Sequence, residues 1–268
     1  MAYFHVIAGA DDTPAHPIVR KLGPADIRYA LARGAEDFWA MPSHLLFLGL
    51  IYPIVGVCLA AFTSGENALP LLYPLAAGFA LIGPFAAIGL YEVSRRRELG
   101  LDVSWRHSFA VLRAPAMPSI LALGVLLLLV FLAWMGTARA LYIWLFGPMA
   151  PLSYGHFVNE IFTTSQGWTL ILLGNAIGFV FAVVALSISV VSFPLLLDRD
   201  VGAGVAAQTS IRVVLANPIM MGFWGLIVAA AIVIGSAPVF VGLALVMPVL
   251  GHATWHLYRR AVEPGTIG

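Results

Sequence analysis

The chain has 268 residues, 61% of them hydrophobic and only 10% charged, with 26 glycines and a formal net charge of +1. Such a composition excludes an ordinary soluble core, and the near-zero charge excludes a protein that grips nucleic acid through an excess of cations. A single cysteine, Cys58, excludes an intrachain disulfide and a cysteine metal cluster built by this chain alone, and its place in an apolar run gives it the role of a small buried hydrophobe.

Residues 1–21 lack a positively charged opening followed by an unbroken apolar core, so they are expected to remain as a cytoplasmic tail and not to be removed as a signal. Residues 22–260 form the expected single membrane domain, and 261–268 a second cytoplasmic tail. The domain opens with PADIRYALARGAEDF, where Ile27, Ala30, Leu31, Gly34, Ala35 and Phe38 follow the spacing of one helical face, and Arg28, Arg33, Glu36 and Asp37 fall largely elsewhere. This segment is too polar to span a bilayer and too striped to lie in water, which predicts an amphipathic helix in the cytoplasmic interface. It ends in the tetrapeptide AMPS, Ala40 to Ser43.

About 20 apolar residues cross a ~30 Å hydrocarbon layer. Uncharged runs of this order begin at six places: 43–63, 68–91, 118–137, 168–197, 218–235 and 237–258. Each should be helical, because backbone polar groups find no water in lipid. Between the second and third runs lies Arg95, Arg96, Arg97, then DVSWRHSFAVLR, whose Trp105, Ser108, Phe109 and Leu112 repeat the amphipathic stripe behind an N-cap at Asp102. AMPS recurs there, at Ala116 to Ser119, and before the fifth run Ala207, Ile211, Val214 and Leu215 make a third stripe. Pro42, Pro118 and Pro218 stand near the starts of the spans that follow, where a missing N–H costs nothing. AMPS therefore reads as the corner between a horizontal helix and a vertical one.

The predicted architecture is all-α: six transmembrane helices arranged as three hairpins, each preceded by a cytoplasmic interfacial helix, with repeat units at about 24–92, 98–198 and 200–260. An offset of 102 aligns Arg97 with Arg199, Gly100 with Gly202, Val103 with Val205, Ser108 with Ser210, Val111 with Val213 and Ala114 with Ala216. Thirteen of the fourteen Lys and Arg residues fall on one side of this scheme and only Arg139 on the other, which places both termini in the cytoplasm. The connection after the third span is unequal to the rest. Its first half, with Tyr142, Trp144 and Phe146, is expected to continue the third helix along the outer surface as an aromatic anchor, and its second half to be a loop.

Four candidate features remain. In the fourth span Gly174, Gly178 and Ala182 recur at near-helical spacing, which lets helix backbones approach closely, and Asn175 among them requires an interhelical hydrogen bond. Arg95, Arg96 and Arg97, with Arg259 and Arg260, fix orientation and attract anionic headgroups. His252 and His256, at i and i+4 in GHATWHLYRR, could contribute to a metal or haem site together with His44, His107 or Glu92, but beside Trp255, Tyr258 and Arg259 they read as anchors of a helix end, and no metal or other cofactor is expected. Prolines inside spans, Pro53, Pro74, Pro84 and Pro248, could kink helices. The spans carry no ionisable residue near their centres, and the sequence holds no phosphate-loop, zinc-protease, nucleophile-elbow or CxxC pattern.

The segment LGPADIRYALARGAEDFWAMPSHLLFLGLIYPIVG, followed by RRRELGLDVSWRHSFAVLRAPAMPS, resembles a bacterial integral-membrane family known as a domain of unknown function. Some members are labelled putative cytochrome c oxidase components, so the resemblance implies a Gram-negative inner membrane and a respiratory connection. A catalytic oxidase core would have about twelve spans and histidines buried within them; here the resemblance implies an accessory role. The expected function is a noncatalytic accessory or scaffold subunit, or an assembly factor, that meets lipid and other integral-membrane subunits and no nucleic acid. The alternative is a carrier or channel for a small apolar or amphipathic substrate.

Overall fold

The computed structural model describes residues 17–41, 70–71, 73–74, 83–85, 87–103, 114–149, 151, 153–236 and 242–264. The first span, most of the second, the stripe at Trp105, Ser108, Phe109 and Leu112, and Cys58, His44 and His107 lie outside them. Among the described residues nine named helices follow one another: α1 (Pro24–Ala40), α2 (Ile88–Glu98), α3 (Met117–Phe146), α4 (Tyr154–Thr163), α5 (Ser165–Ser189), α6 (Ser192–Asp198), α7 (Gly202–Ala216), α8 (Pro218–Ser236) and α9 (Leu243–Ala261). The architecture is all-helical. Met117–Phe146, Ser165–Asp198 and Pro218–Gly235 are long and apolar enough to cross a membrane. Contacts group the chain into two units, one of Met1–Gly49, Pro84–Gly124 and Leu186–Gly268, the other of Leu50–Gly83 and Val125–Ala185.

In the first unit α1 begins with Pro24 at its first position and packs along α9. Ile27, Ala30, Gly34, Asp37 and Phe38 are buried, while Leu31 and Ala35 are half-buried. The buried face is thus rotated from the predicted stripe and includes a carboxylate. Gly34 makes the crossing possible: a Cβ there would stand 2.6 Å from the Ala253 backbone nitrogen and 2.7 Å from the Val249 carbonyl oxygen. The three arginines after the predicted second span are the last turn of α2, where cations complement the negative end of the helix.

Helix α3 carries one buried row, Ile120, Leu123, Leu127, Trp134, Ala138 and Leu141, while Leu121, Val125, Leu128, Leu129 and Leu132 are exposed. An apolar helix with only one covered row needs an apolar surrounding. The predicted fourth span is not one continuous helix. It breaks at Val190 and Val191 between α5 and α6, where Pro194 has no N–H for the Val190 carbonyl and the Val191 N–H donates instead to Ser210 Oγ of α7 at 3.1 Å.

On α7 the buried residues are Val205, Ala206, Thr209, Ser210 and Val213, whereas Ile211 and Leu215 of the predicted stripe face away from the protein. Asn217 turns the chain into α8: its Oδ1 accepts from the Leu22 N–H at 2.8 Å and its Nδ2 donates to the Arg20 carbonyl at 3.0 Å. The same N-terminal strap pairs with the C-terminus, Val19 bridging Val262 antiparallel, with Arg20 N–H to the Ala261 carbonyl at 2.8 Å and Glu263 N–H to the Ile18 carbonyl at 3.0 Å.

Two of the glycines at positive φ occupy corresponding places. Gly100, after α2, and Gly202, after α6, both adopt the left-handed conformation, at φ 66° and 76°. They are the pair matched by the 102-residue offset.

In the second unit, helix continues through Tyr142, Trp144 and Phe146, but the predicted loop behind them contains α4. Ser153 caps α4 by accepting from the His156 N–H at 3.2 Å, and Thr164 Oγ1 then accepts from the Gly167 N–H at 3.0 Å to start α5. A helix this short, of mixed polar and aromatic residues, gives little periodicity to read.

Candidate functional site

The densest polar feature of the first unit is assembled from α1, α2 and α9. Asp37 supplies a carboxylate that is 1% exposed; Ser94 and His252 are fully buried and His256 is 4% exposed. Ser94 Oγ donates to Asp37 Oδ2 at 2.6 Å, His256 Nε2 lies 2.8 Å from the same oxygen, and Arg97 Nη1 donates to Asp37 Oδ1 at 2.6 Å. His252 Nδ1 lies 2.8 Å from Ser94 Oγ. Four residues apart on α9, the two histidines share a face and meet the partners that α1 and α2 bring to it.

The partners fix the protons. Burial alone would raise the Asp37 pKa, but the hydrogen bonds from His256 and Ser94 and the nearby imidazoles outweigh it and hold the carboxyl below its ordinary value of 3.8. Asp37 is therefore an anion that only accepts, so the Ser94 hydroxyl proton points to it. The Ser94 oxygen must then accept from His252, which assigns His252 the Nδ1–H form, and His256 donates from Nε2.

Serine, histidine and aspartate are all present, yet the wiring is the reverse of a nucleophilic triad. A triad needs the histidine to accept the serine proton; here the serine gives that proton to the carboxylate and has no surface to offer a substrate. Among the described residues there is no group of three or more His, Cys, Asp or Glu side chains placed to hold a metal ion. The two histidines are buried side chains that join α9 to α1 and α2.

An outer layer of ion pairs surrounds this core. Arg95 binds Glu92 twice, at 2.7 and 3.0 Å, and Arg96 stands 3.8 Å from the same carboxylate. Glu98 accepts from Trp255 Nε1 and from Arg259 Nε, both at 2.9 Å. Asp198 accepts from Tyr258 at 2.5 Å and from Arg259 at 3.2 Å, and Arg260 binds Asp26 at 2.7 Å. All five arginines picked out by charge counting thus stand beside carboxylates of this chain. Glu92, Arg95, Pro115, Leu196, Asp198 and Asp200 help line a cleft of about 360 Å³.

In the second unit, a Cβ on Gly178 would lie 3.0 Å from the Trp134 ring and one on Gly174 3.7 Å from Leu141. Asn175 Oδ1 accepts from the Tyr73 hydroxyl at 2.7 Å, and its Nδ2 donates to the Ile171 carbonyl one turn back at 2.7 Å. Ala182, predicted on the same packing face, is exposed.

Sequence reasoning missed Asp37, Ser94, Glu98, Asp198 and Asn217. The signal available for Asp37 was its place three residues after Gly34 and beside Phe38, on the edge of an apolar stripe.

Residues 71–198 match a family described as "Predicted integral membrane protein (DUF2189)". The match covers a little under half of the chain and is a similarity to an integral-membrane domain of unknown function. No curated protein and no solved structure matches the chain. The DUF2189 segment includes α2 through α6, and with them Ser94, Arg97 and the Gly174 to Gly178 packing motif. Asp37 in α1 and both histidines in α9 lie outside it.

Proposed function

We propose that the protein is a noncatalytic accessory or scaffold subunit, or an assembly factor, of a complex in the bacterial inner membrane. The observation that carries this reading is the wiring of the polar core: Ser94 and His256 bond to the buried Asp37 carboxylate and His252 to Ser94, which suits a joint between helices. The outward apolar faces of α3, α5 and α8, with Leu129, Phe179, Ile219 and Val233 among their exposed residues, are where lipid and partner subunits would lie. A respiratory oxidase is the first partner to test.

The finer topology belongs to the same proposal: six spans in three hairpins, both termini cytoplasmic. It is supported by the Val19–Val262 bridge, because two segments that hydrogen-bond to each other lie on one side of a bilayer and the number of crossings between them is even. Three helices qualify by length and apolarity, so at least one further crossing is required. The shared left-handed glycines, Gly100 and Gly202, support a repeated unit.

Extraction in a mild detergent followed by mass identification of copurifying proteins tests the role. A stoichiometric integral-membrane partner is the expected result. A lone monomer that binds a small apolar compound would replace this reading with the carrier.

A further inference from the structure

One exposed surface has a composition unlike the lipid-facing rows of the spans. On the side of α7 away from the protein, Gln208, Ile211, Arg212 and Leu215 are exposed, Leu215 to 73%. Past the Asn217 corner the same kind of surface continues on α8 as Ile219, Phe223 and Leu226, exposed to 78%, 49% and 64%. Helix α8 is one of the helices apolar enough to cross a membrane, so in a bilayer this row would meet hydrocarbon and Leu215, one turn before α8, the headgroup layer.

Cations gather at that corner. Lys21 Nζ donates to the carbonyl of Ala216, the last residue of α7, at 2.6 Å, and Arg212 stands one turn earlier. Lys21 offsets the negative end of α7, while α8 begins at the next residue but one and presents the positive end of its own dipole. The contrast with the other arginines decides the argument: Arg95, Arg96, Arg97, Arg259 and Arg260 stand beside carboxylates, whereas among the described residues no ion pair engages Lys21 or Arg212.

We propose that Lys21 and Arg212, together with Ile211 and Leu215, form a binding site for an anionic phospholipid of the leaflet that faces the termini. The two cations take the phosphate-bearing headgroup, and an acyl chain follows Leu215 and Ile219 toward the hydrocarbon. The proposal rests on the chain's place in the membrane and is independent of the scaffold role.

The test uses the full chain with Cys58→Ser and Leu215→Cys, labelled with bimane and reconstituted into vesicles of phosphatidylcholine containing a minor fraction of phosphatidylglycerol. Bromine-labelled chains are carried by either lipid in turn, so quenching reports which one covers position 215. The expected result is quenching by both, with phosphatidylglycerol favoured by roughly fivefold per cation. Lys21→Gln and Arg212→Gln should each remove their share, while Arg96→Gln should leave the preference intact. A label at Ile211→Cys repeats the measurement should the first variant fail to fold. Equal quenching by the two lipids would overturn the anionic preference; an unquenched label whose emission changes on dilution of the protein in lipid would show a second copy on this face and overturn the site altogether.

Discussion

Asp37 receives hydrogen bonds from Ser94, His256 and Arg97, which come from two helices other than its own. Removing one partner from such a buried set leaves the others uncompensated. Asp37→Asn keeps the size of the side chain and removes its charge. It should lower stability by roughly 3 kcal/mol, the lower end of the range for a broken buried pair because Arg97 is partly exposed. The sign of the pH dependence follows from the depressed pKa of Asp37. Its contribution is fully present above the ordinary carboxylate value of 3.8 and is lost as pH falls through the lower folded value. Thermal unfolding of the detergent-solubilised wild type should therefore gain an acid-side loss that Asp37→Asn lacks, and identical acid profiles would contradict this assignment. That Arg97 is cationic was legible in the sequence; that it meets Asp37 was not, because the partner lies 60 residues away and was assigned to the polar side of a stripe. A stripe reading sorts by polarity, and it has no way to recognise a charge that is buried because its partners are buried with it.

At the scale of elements the decisive contact is α1 against α9. Backbone atoms of Ala253 and Val249 occupy the place of a Gly34 side chain, and backbone cannot swing aside as a long side chain can. Gly34→Ala should therefore force the helices apart at a cost of about 1–3 kcal/mol. Gly136, within α3, has nothing within 4 Å of its missing Cβ, so Gly136→Ala should be neutral or stabilising by up to about 1 kcal/mol. Melting temperatures of the two variants in one detergent check the pair, and a harmless Gly34→Ala would remove the close crossing. The long apolar helices α3 and α8 were legible from hydrophobicity, since a span has only its length and its lack of charge to declare. The break between α5 and α6 had one sign in the sequence, Pro194, which has no N–H for the Val190 carbonyl, but its partner Ser210, which takes the Val191 N–H, lies 19 residues away on α7. Helix α4 escaped for a third reason: its start depends on one serine cap, a local hydrogen bond without a repeating pattern.

At the scale of the whole molecule, one antiparallel bridge constrains the topology more tightly than the count of cations does. The positive-inside rule assigns a side; the hydrogen bonds between the 18–20 strap and residues 261–263 require that both ends share it. The internal ion pairs also change how the cation count is understood. Arginines that meet carboxylates within the protein, such as Arg97 with Asp37 and Arg259 with Glu98 and Asp198, hold helix ends together.

The most direct measurement labels two single-cysteine variants, Ile18→Cys and Glu263→Cys, each in a Cys58→Ser background, with a membrane-impermeant maleimide in sealed right-side-out vesicles. Both positions should be protected until the vesicles are opened and then react fully. Reaction of one position from outside while the other stays protected would mean an odd number of crossings, and the bridge, the strap and the three-hairpin architecture would fall together.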